Sequence, residues 1–178
     1  LNTEGLRFSK KELIEYLKGF EAAIVGLDQI DEEVLLALPE LKIIAKYGVG
    51  LNNIDLDACK KHKIKIGWTG GVNRISVAEM VIGNALSLLR NLYQTSNLLS
   101  NGTWQKNGGE QLTGKTVGII GVGYIGKEVV RMLQPFNCKI LVNDIIDQSA
   151  YYQENGLIES NKEEIFKNCD VITVHTPY

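Results

Sequence analysis

The sequence predicts an α/β fold of two Rossmann-like or flavodoxin-like parallel-sheet domains joined by a long helix, both domains incomplete in the chain. Three observations predict it. Short apolar runs of four or five residues alternate with amphipathic stretches. A helical apolar repeat over 77–99 divides that alternation into two series. In the second series a glycine-rich turn, Gly121-Val122-Gly123-Tyr124-Ile125-Gly126, joins an apolar strand to an amphipathic helix.

The first element is a helix that starts at Ser9. Ser9 caps it, Glu12 closes the capping box three residues later, and Phe8 packs on Leu13 as a staple. That helix runs to about Lys18. A buried strand follows over 22–26, then a helix capped by Asp31 and reaching Leu38, and a second apolar strand over 41–45. Asp55 caps a third helix, and 64–67 is the third strand. Strands separated by helices give right-handed crossovers and a parallel sheet, with helices expected on both faces. The chain opens with a loop and a helix where such a sheet usually begins with a strand, so the first domain is expected to lack its first strand.

Val77, Met80, Val81, Ala85, Leu88, Leu89 and Leu92 recur at helical spacing. They set the expected boundaries: residues 1–76 as the first domain, 77–100 as a connecting helix, 101–178 as the first half of a second domain. A loop over 101–109 leads into the second series, with strands at 116–120, 139–143 and 171–174 and helices at 124–133 and 162–167.

Composition narrows the function classes. The 178 residues carry 44% hydrophobic and 22% charged side chains, proportions that support a packed core. A net charge of -2 gives no basic footprint for nucleic acid or an anionic membrane. Cys59, Cys138 and Cys169 stand far apart without Cys-x-x-Cys spacing, so neither a disulfide framework nor a metal centre is expected, and a reducing cytoplasm fits them. No apolar run nears the roughly 18 residues of a membrane span, and no signal-peptide pattern opens the chain.

The glycine motif carries the chemistry. Gly121 permits a tight turn, Gly123 lets the backbone approach a pyrophosphate, and Gly126 lets helix and strand pack closely, while the helix N-terminus offers N–H groups and a favourable dipole to the anion. The next strand ends at Asp144, 23 positions after Gly121, where a carboxylate for the adenine ribose is expected. Asp144 repels a 2′-phosphate and no Arg or Lys follows before Lys162, so NAD is the expected cofactor rather than NADP.

With these residues on the page, the chain resembles the D-isomer-specific 2-hydroxy-acid dehydrogenases, and among them most the 3-phosphoglycerate dehydrogenases. The resemblance runs almost end to end. It rests on Leu41-Lys42-Ile43-Ile44-Ala45-Lys46-Tyr47-Gly48-Val49-Gly50-Leu51-Asn52-Asn53-Ile54-Asp55, on Asn73 with Ser76-Val77-Ala78-Glu79, on Leu112-Thr113-Gly114-Lys115-Thr116-Val117-Gly118, and on Val174-His175-Thr176-Pro177. It implies that Tyr47, Gly48, Val49 and Gly50 offer backbone to a substrate carboxylate, a role that an anion-binding nest of glycine N–H groups suits, although a loop glycine pair explains the same residues. Lys46 stands where the phosphoglycerate enzymes carry arginine; it keeps the charge and loses the bidentate fork. Asn73 corresponds to a position near the substrate and Thr69 to one near the nicotinamide, with Gly70-Gly71 where relatives often have proline and asparagine. His175, Thr176 and Pro177 correspond to the loop over the adenosine, though Pro177 also suits a plain strand end.

The resemblance further implies an NAD-dependent dehydrogenase of a D-2-hydroxy acid, 3-phosphoglycerate first among them, serving serine biosynthesis in the cytoplasm as a homodimer, with no nucleic-acid or membrane partner. The histidine, arginine and glutamate of that chemistry come from sequence after the His175-Thr176-Pro177 loop, so no catalytic residue is assigned in this chain. His62, in Lys60-Lys61-His62-Lys63, reads as a solvated helix end. Two other readings stay open: a non-catalytic NAD-binding corepressor of the same fold, and a different chemistry such as formate oxidation.

Overall fold

Local capping, hydrophobic period and glycine placement build two separate units, 1–72 and 73–177, in the computed structural model, which describes residues 2–106 and 108–176. In the first unit, α1 (Lys10–Leu17) starts on a complete Ser9–Glu12 capping box. Phe8 packs toward the core, and its ring also stacks on Tyr16 with centroids 4.7 Å apart. β1 (Ala22–Val25) and β2 (Ile43–Lys46) flank α2 (Glu32–Ala37), whose cap Asp31 accepts from Val34 N at 3.0 Å. α3 (Leu56–Lys61) is capped by Asp55, which accepts from Ala58 N at 2.9 Å, and leads to β3 (Lys65–Gly67).

The three strands are parallel in the order β1-β2-β3, with Ile44 level with Ala23 and Ile66. Ile30, Val34 and Ile44 are fully buried on the helix side. The other side corrects the expectation of helices on both faces. Ala22, Ile24, Ile43 and Ala45 alternate outward, and Ile24 stays 79% exposed. Among the described residues nothing of this unit covers that face.

The second unit opens with α4 (Arg74–Leu89) and α5 (Leu92–Ser100). The helix expected in one piece over 77–100 is thus two. Asn91 takes left-handed backbone at φ 53°, a state that asparagine tolerates better than most residues because its short polar side chain bonds locally. The apolar repeat passes through the break without marking it, and Leu88 and Leu92 both face solvent. The boundary between units falls at Val72–Asn73, so both helices go with the second unit.

β4 (Thr116–Ile120), α6 (Tyr124–Leu133), a 3-10 turn (Gln134–Phe136), β5 (Lys139–Asn143), α7 (Ser149–Glu154), β6 (Ile158–Glu159), α8 (Lys162–Asn168) and β7 (Val171–Val174) complete the unit. Its sheet is parallel in the order β6-β5-β4-β7. α7 and β6 have no expectation in the sequence reading; β6 is two residues long and takes its register from Leu141 and Val142 of β5. Val117, Ile119, Val129, Val130, Leu133 and Val142 form the core, and Ala78 of α4 is buried against it. Gly118 lets α8 close on β4, since a Cβ there would collide with Ile165 and sit 3.0 Å from Cys169 Sγ. Chain order reverses on either side of β4, so the carboxyl ends of β4 and β7 form the switch point where open α/β sheets bind ligands.

Candidate functional site

In the second sheet Ile120 pairs with Asn143 on one side and Val174 on the other. The next residue of each strand, Gly121, Asp144 and His175, therefore comes to the same level at the carboxyl edge. Gly121 N donates to Asn143 O at 2.8 Å and His175 N donates to Ile120 O at 2.8 Å, so both continue the ladder into the loops. Gly121 has φ +92°, and a Cβ on it would lie 2.7 Å from His175 O. A Cβ on Gly126 would collide with Gly121 O. Gly123 differs: its φ is -79° and nothing lies within 4 Å of where its Cβ would be. Two glycines of the motif are thus required by packing, and the third leaves open space beside the N-terminus of α6. No side chain caps that terminus, so the N–H groups of Tyr124 and Ile125 are left for an anion.

Asp144 faces this loop. Its Oδ2 accepts from Val122 N at 2.6 Å and from Gln148 Nε2 at 3.2 Å, and its Oδ1 accepts from Ile146 N at 3.0 Å. Burial pushes its pKa up, but the N–H groups of Ile146, Val122 and Ile145 and the charge of Lys127 outweigh it, so the carboxyl sits below its ordinary value. Lys127 and Gln148 were missed in the sequence reading. Lys127 lies one turn into α6, its Nζ 4.7 Å from the centroid of the Tyr151 ring, and a search at helical spacing from the motif finds it. Gln148 lies four residues after Asp144 in the same loop, and the tertiary approach of the glycine loop brings it its second acceptor, Val122 O. His175 is half-buried, which lowers its pKa, and its Nε2 lies 2.9 Å from Thr173 Oγ1. Thr176 is exposed; Pro177 lies outside the described residues.

In the first unit the nest is expected in the loop after β2. Gly48 takes φ +114°. Tyr47 N is already bonded to Val25 O at 2.9 Å, so the ladder uses that amide, and the free N–H groups are those of Gly48, Val49 and Gly50. Lys46 points elsewhere. Its Nζ bonds Gly26 O and, at 2.8 Å, Asn53 Oδ1, while Asn53 Nδ2 reaches Gly26 O and Asp28 O. The strand end of β1 needs donors for these carbonyls, and Lys46 and Asn53 supply them. Thr69 is exposed in the loop after β3, beside Trp68, whose Nε1 donates to Val49 O at 3.0 Å and ties that loop to the nest. In the second unit Asn73 precedes α4 and makes no side-chain cap bond. His62 is part-buried, its Nε2 3.1 Å from Glu32 Oε1, in a cluster with Lys61 on helix ends rather than on strand-end loops.

Residues 82–178 match the family model described as the D-isomer specific 2-hydroxyacid dehydrogenase, NAD binding domain. The chain belongs to that family. D-3-phosphoglycerate dehydrogenase of Homo sapiens is 34% identical over 177 residues, which span 98% of this chain and 33% of the human protein. D-lactate dehydrogenase from Aquifex aeolicus, solved with NAD and lactic acid, superposes with a TM-score of 0.84 at 29% identity, over 99% of this chain and 52% of that one. The NAD+-bound 3-phosphoglycerate dehydrogenase of Entamoeba histolytica gives a TM-score of 0.76 at 35% identity, over 97% and 51%. The chain spans between 33% and 53% of the length of the first curated relatives it matches. As a member of the D-2-hydroxyacid dehydrogenases it has NAD as its cofactor, and the observation that fits NAD to these residues is the open cradle at Gly123 between a bare helix N-terminus and a carboxylate. Among the described residues no helix is long and apolar enough to cross a membrane.

Proposed function

We propose that the protein is an NAD-dependent dehydrogenase of a D-2-hydroxy acid, with 3-phosphoglycerate as the substrate, the unit 1–72 on the substrate side and the unit that begins at Asn73 holding the cofactor. The observation that carries it is the row Gly121, Asp144 and His175 at the switch point of the second sheet. The loop from Gly121 to Gly126 receives the pyrophosphate on the N–H groups of Tyr124 and Ile125. Asp144 accepts from the adenine ribose hydroxyls. Ile145 and Ile146, 94% and 67% exposed, offer an apolar shelf for the adenine. His175 and Thr176 line the adenosine side. When bound, NAD supplies the hydride acceptor.

On the substrate side, the N–H groups of Gly48, Val49 and Gly50 hold the carboxylate, Asn73 contacts the substrate and Thr69 faces the nicotinamide. Lys46 contributes positive potential from its place on Gly26 O rather than a direct contact. The proton of the oxidised hydroxyl goes to a base that none of the residues named here provides; His62, held on Glu32, stands on helix ends. The protein acts as a homodimer in the cytoplasm, in serine biosynthesis.

The test is paired. NADH binding is followed by fluorescence titration of the parent and of Asp144→Ala, and oxidation of 3-phosphoglycerate, D-lactate, glycerate and formate is compared in the protein isolated from its natural source. A loss of about 1.5–3 kcal/mol in NADH binding is expected for Asp144→Ala, the worth of hydrogen bonds to a charged group. Unchanged affinity removes Asp144 from the site. NADH binding with no turnover of any of the four acids supports a non-catalytic, corepressor-like protein instead.

A further inference from the structure

We propose that Gln148 is a specificity-determining residue at the ribose end of the cofactor site, placing a neutral amide where a free ribose 2′-hydroxyl is accepted and a 2′-phosphate is refused. The inference rests on the reading that Asp144 receives the adenine ribose. Gln148 Nε2 lies 3.2 Å from Asp144 Oδ2 and 3.1 Å from Val122 O. Both neighbours are acceptors, which assigns the NH2 group to this end of the amide. The backbone of the residue is anchored: its main-chain carbonyl accepts from Tyr152 N at 3.0 Å at the start of α7. Among the described residues it is the one side chain hydrogen-bonded to the Asp144 carboxylate.

Counting the directions at that carboxylate shows what Gln148 does there. An ionised carboxylate offers about four acceptor directions. Val122 N, Ile146 N and Gln148 Nε2 fill three at hydrogen-bond distance, while the Ile145 N–H acts on the group more weakly than those of Ile146 and Val122. One is left for a ribose hydroxyl, and a second hydroxyl enters only by taking the place of Gln148, the longest of the three bonds and the one made by a movable side chain. The incoming hydroxyl is then bracketed by a carboxylate that accepts its proton and an amide that stays on Val122 O. A phosphate on the same oxygen brings its charge against Asp144 and finds in Gln148 a neutral donor with no countercharge. The side chains next along the loop add none: Ile145 and Ile146 are exposed apolar residues, and Asp147 bonds Ser149 Oγ at 2.6 Å; the cation that acts on Asp144, Lys127, has its Nζ over the Tyr151 ring, 4.7 Å from the centroid.

Dissociation constants for NADH and NADPH are measured by fluorescence titration for the parent, Gln148→Met, Gln148→Arg and Asp144→Ala, each checked for folding by its thermal melt. Gln148→Met keeps the volume and removes the donors; NADH binding weakens three- to tenfold with no gain for NADPH. Gln148→Arg sets a cation beside Asp144 and the 2′ position; NADPH binding tightens at least tenfold. A packing role for Gln148 moves the melts and leaves the ratio of the two constants alone. If both Gln148 variants keep the parental ratio within threefold while Asp144→Ala weakens NADH, this inference falls and the ribose reading stands. If Asp144→Ala also binds NADH as the parent does, both fall.

Discussion

Gly121 and Gly123 lie two residues apart in one loop, and the structure assigns them opposite liabilities. On Gly121→Ala the new Cβ meets His175 O at 2.7 Å and His175 C at 2.8 Å, on backbone at φ +92°. Left-handed backbone costs an alanine about 1–2 kcal/mol, and overpacking against backbone that cannot swing aside costs about 1–3 kcal/mol. The substitution therefore removes about 2–5 kcal/mol of stability. Gly123→Ala meets nothing within 4 Å at φ -79°, so it costs about 0.5–1 kcal/mol as a poorer helix N-cap. Its methyl instead fills the cradle, and NADH binding weakens at least about tenfold, or about 1.4 kcal/mol. Urea unfolding followed by circular dichroism reads the first quantity and NADH titration the second. Parental NADH affinity in Gly123→Ala refutes the placement of the pyrophosphate; an unshifted urea midpoint in Gly121→Ala refutes the packing argument.

Three further outcomes follow from geometry. Gly118→Ala drives a methyl into Ile165 and Cys169 and lowers stability by about 1–3 kcal/mol in urea unfolding; a neutral result means α8 is free to move off β4. Asn53→Ala strands the carbonyl of Asp28, takes one of two donors from Gly26 O and one acceptor from Lys46, and removes about 1–3 kcal/mol from the first unit; calorimetry should show a lower Tm, and an unchanged Tm refutes the role of the amide. His175 has a folded pKa below 6.5, so the unfolded chain takes the proton first as pH falls; its contribution is complete above pH 6.5 and is lost as pH drops below it. The Tm should fall between pH 7 and 5.5, and Gln in place of His175 should flatten that slope; an equal slope in His175→Gln assigns the dependence elsewhere.

The strands that carry the cofactor loop were legible because each is buried on both faces and reads as an unbroken apolar run: Val117 to Ile120 and Ile140 to Val142 leave no ambiguity of period. Capping was equally plain at Ser9, Asp31 and Asp55, where the acceptor and its N–H lie three residues apart. What failed to show was whatever depends on backbone sign or on distant loops. Asn91 turns left-handed inside a repeat whose apolar residues stay in step on both sides. β6 is set by pairing with β5 rather than by its own two residues. At the site, the glycines and Asp144 announce themselves, whereas Lys46 reads as a free cation until Gly26 O is seen beneath it. Gln148 belongs to the same class as Lys46, since its meaning comes from the partners the fold brings to it.

The uncovered side of the β1-β2-β3 sheet sets an order of events when the molecule opens. Fully burying an isoleucine is worth about 1.5–3 kcal/mol, and Ile24 at 79% and Ile43 at 40% exposure collect only part of it. The β4–β5 pair is insulated from both directions, so its amides are shielded by a larger free-energy gap. Deuterium should therefore enter Ala23 and Ile44 long before Ile119 and Val142, and the half that holds the glycine loop should persist as a cooperative island after the other half has let go.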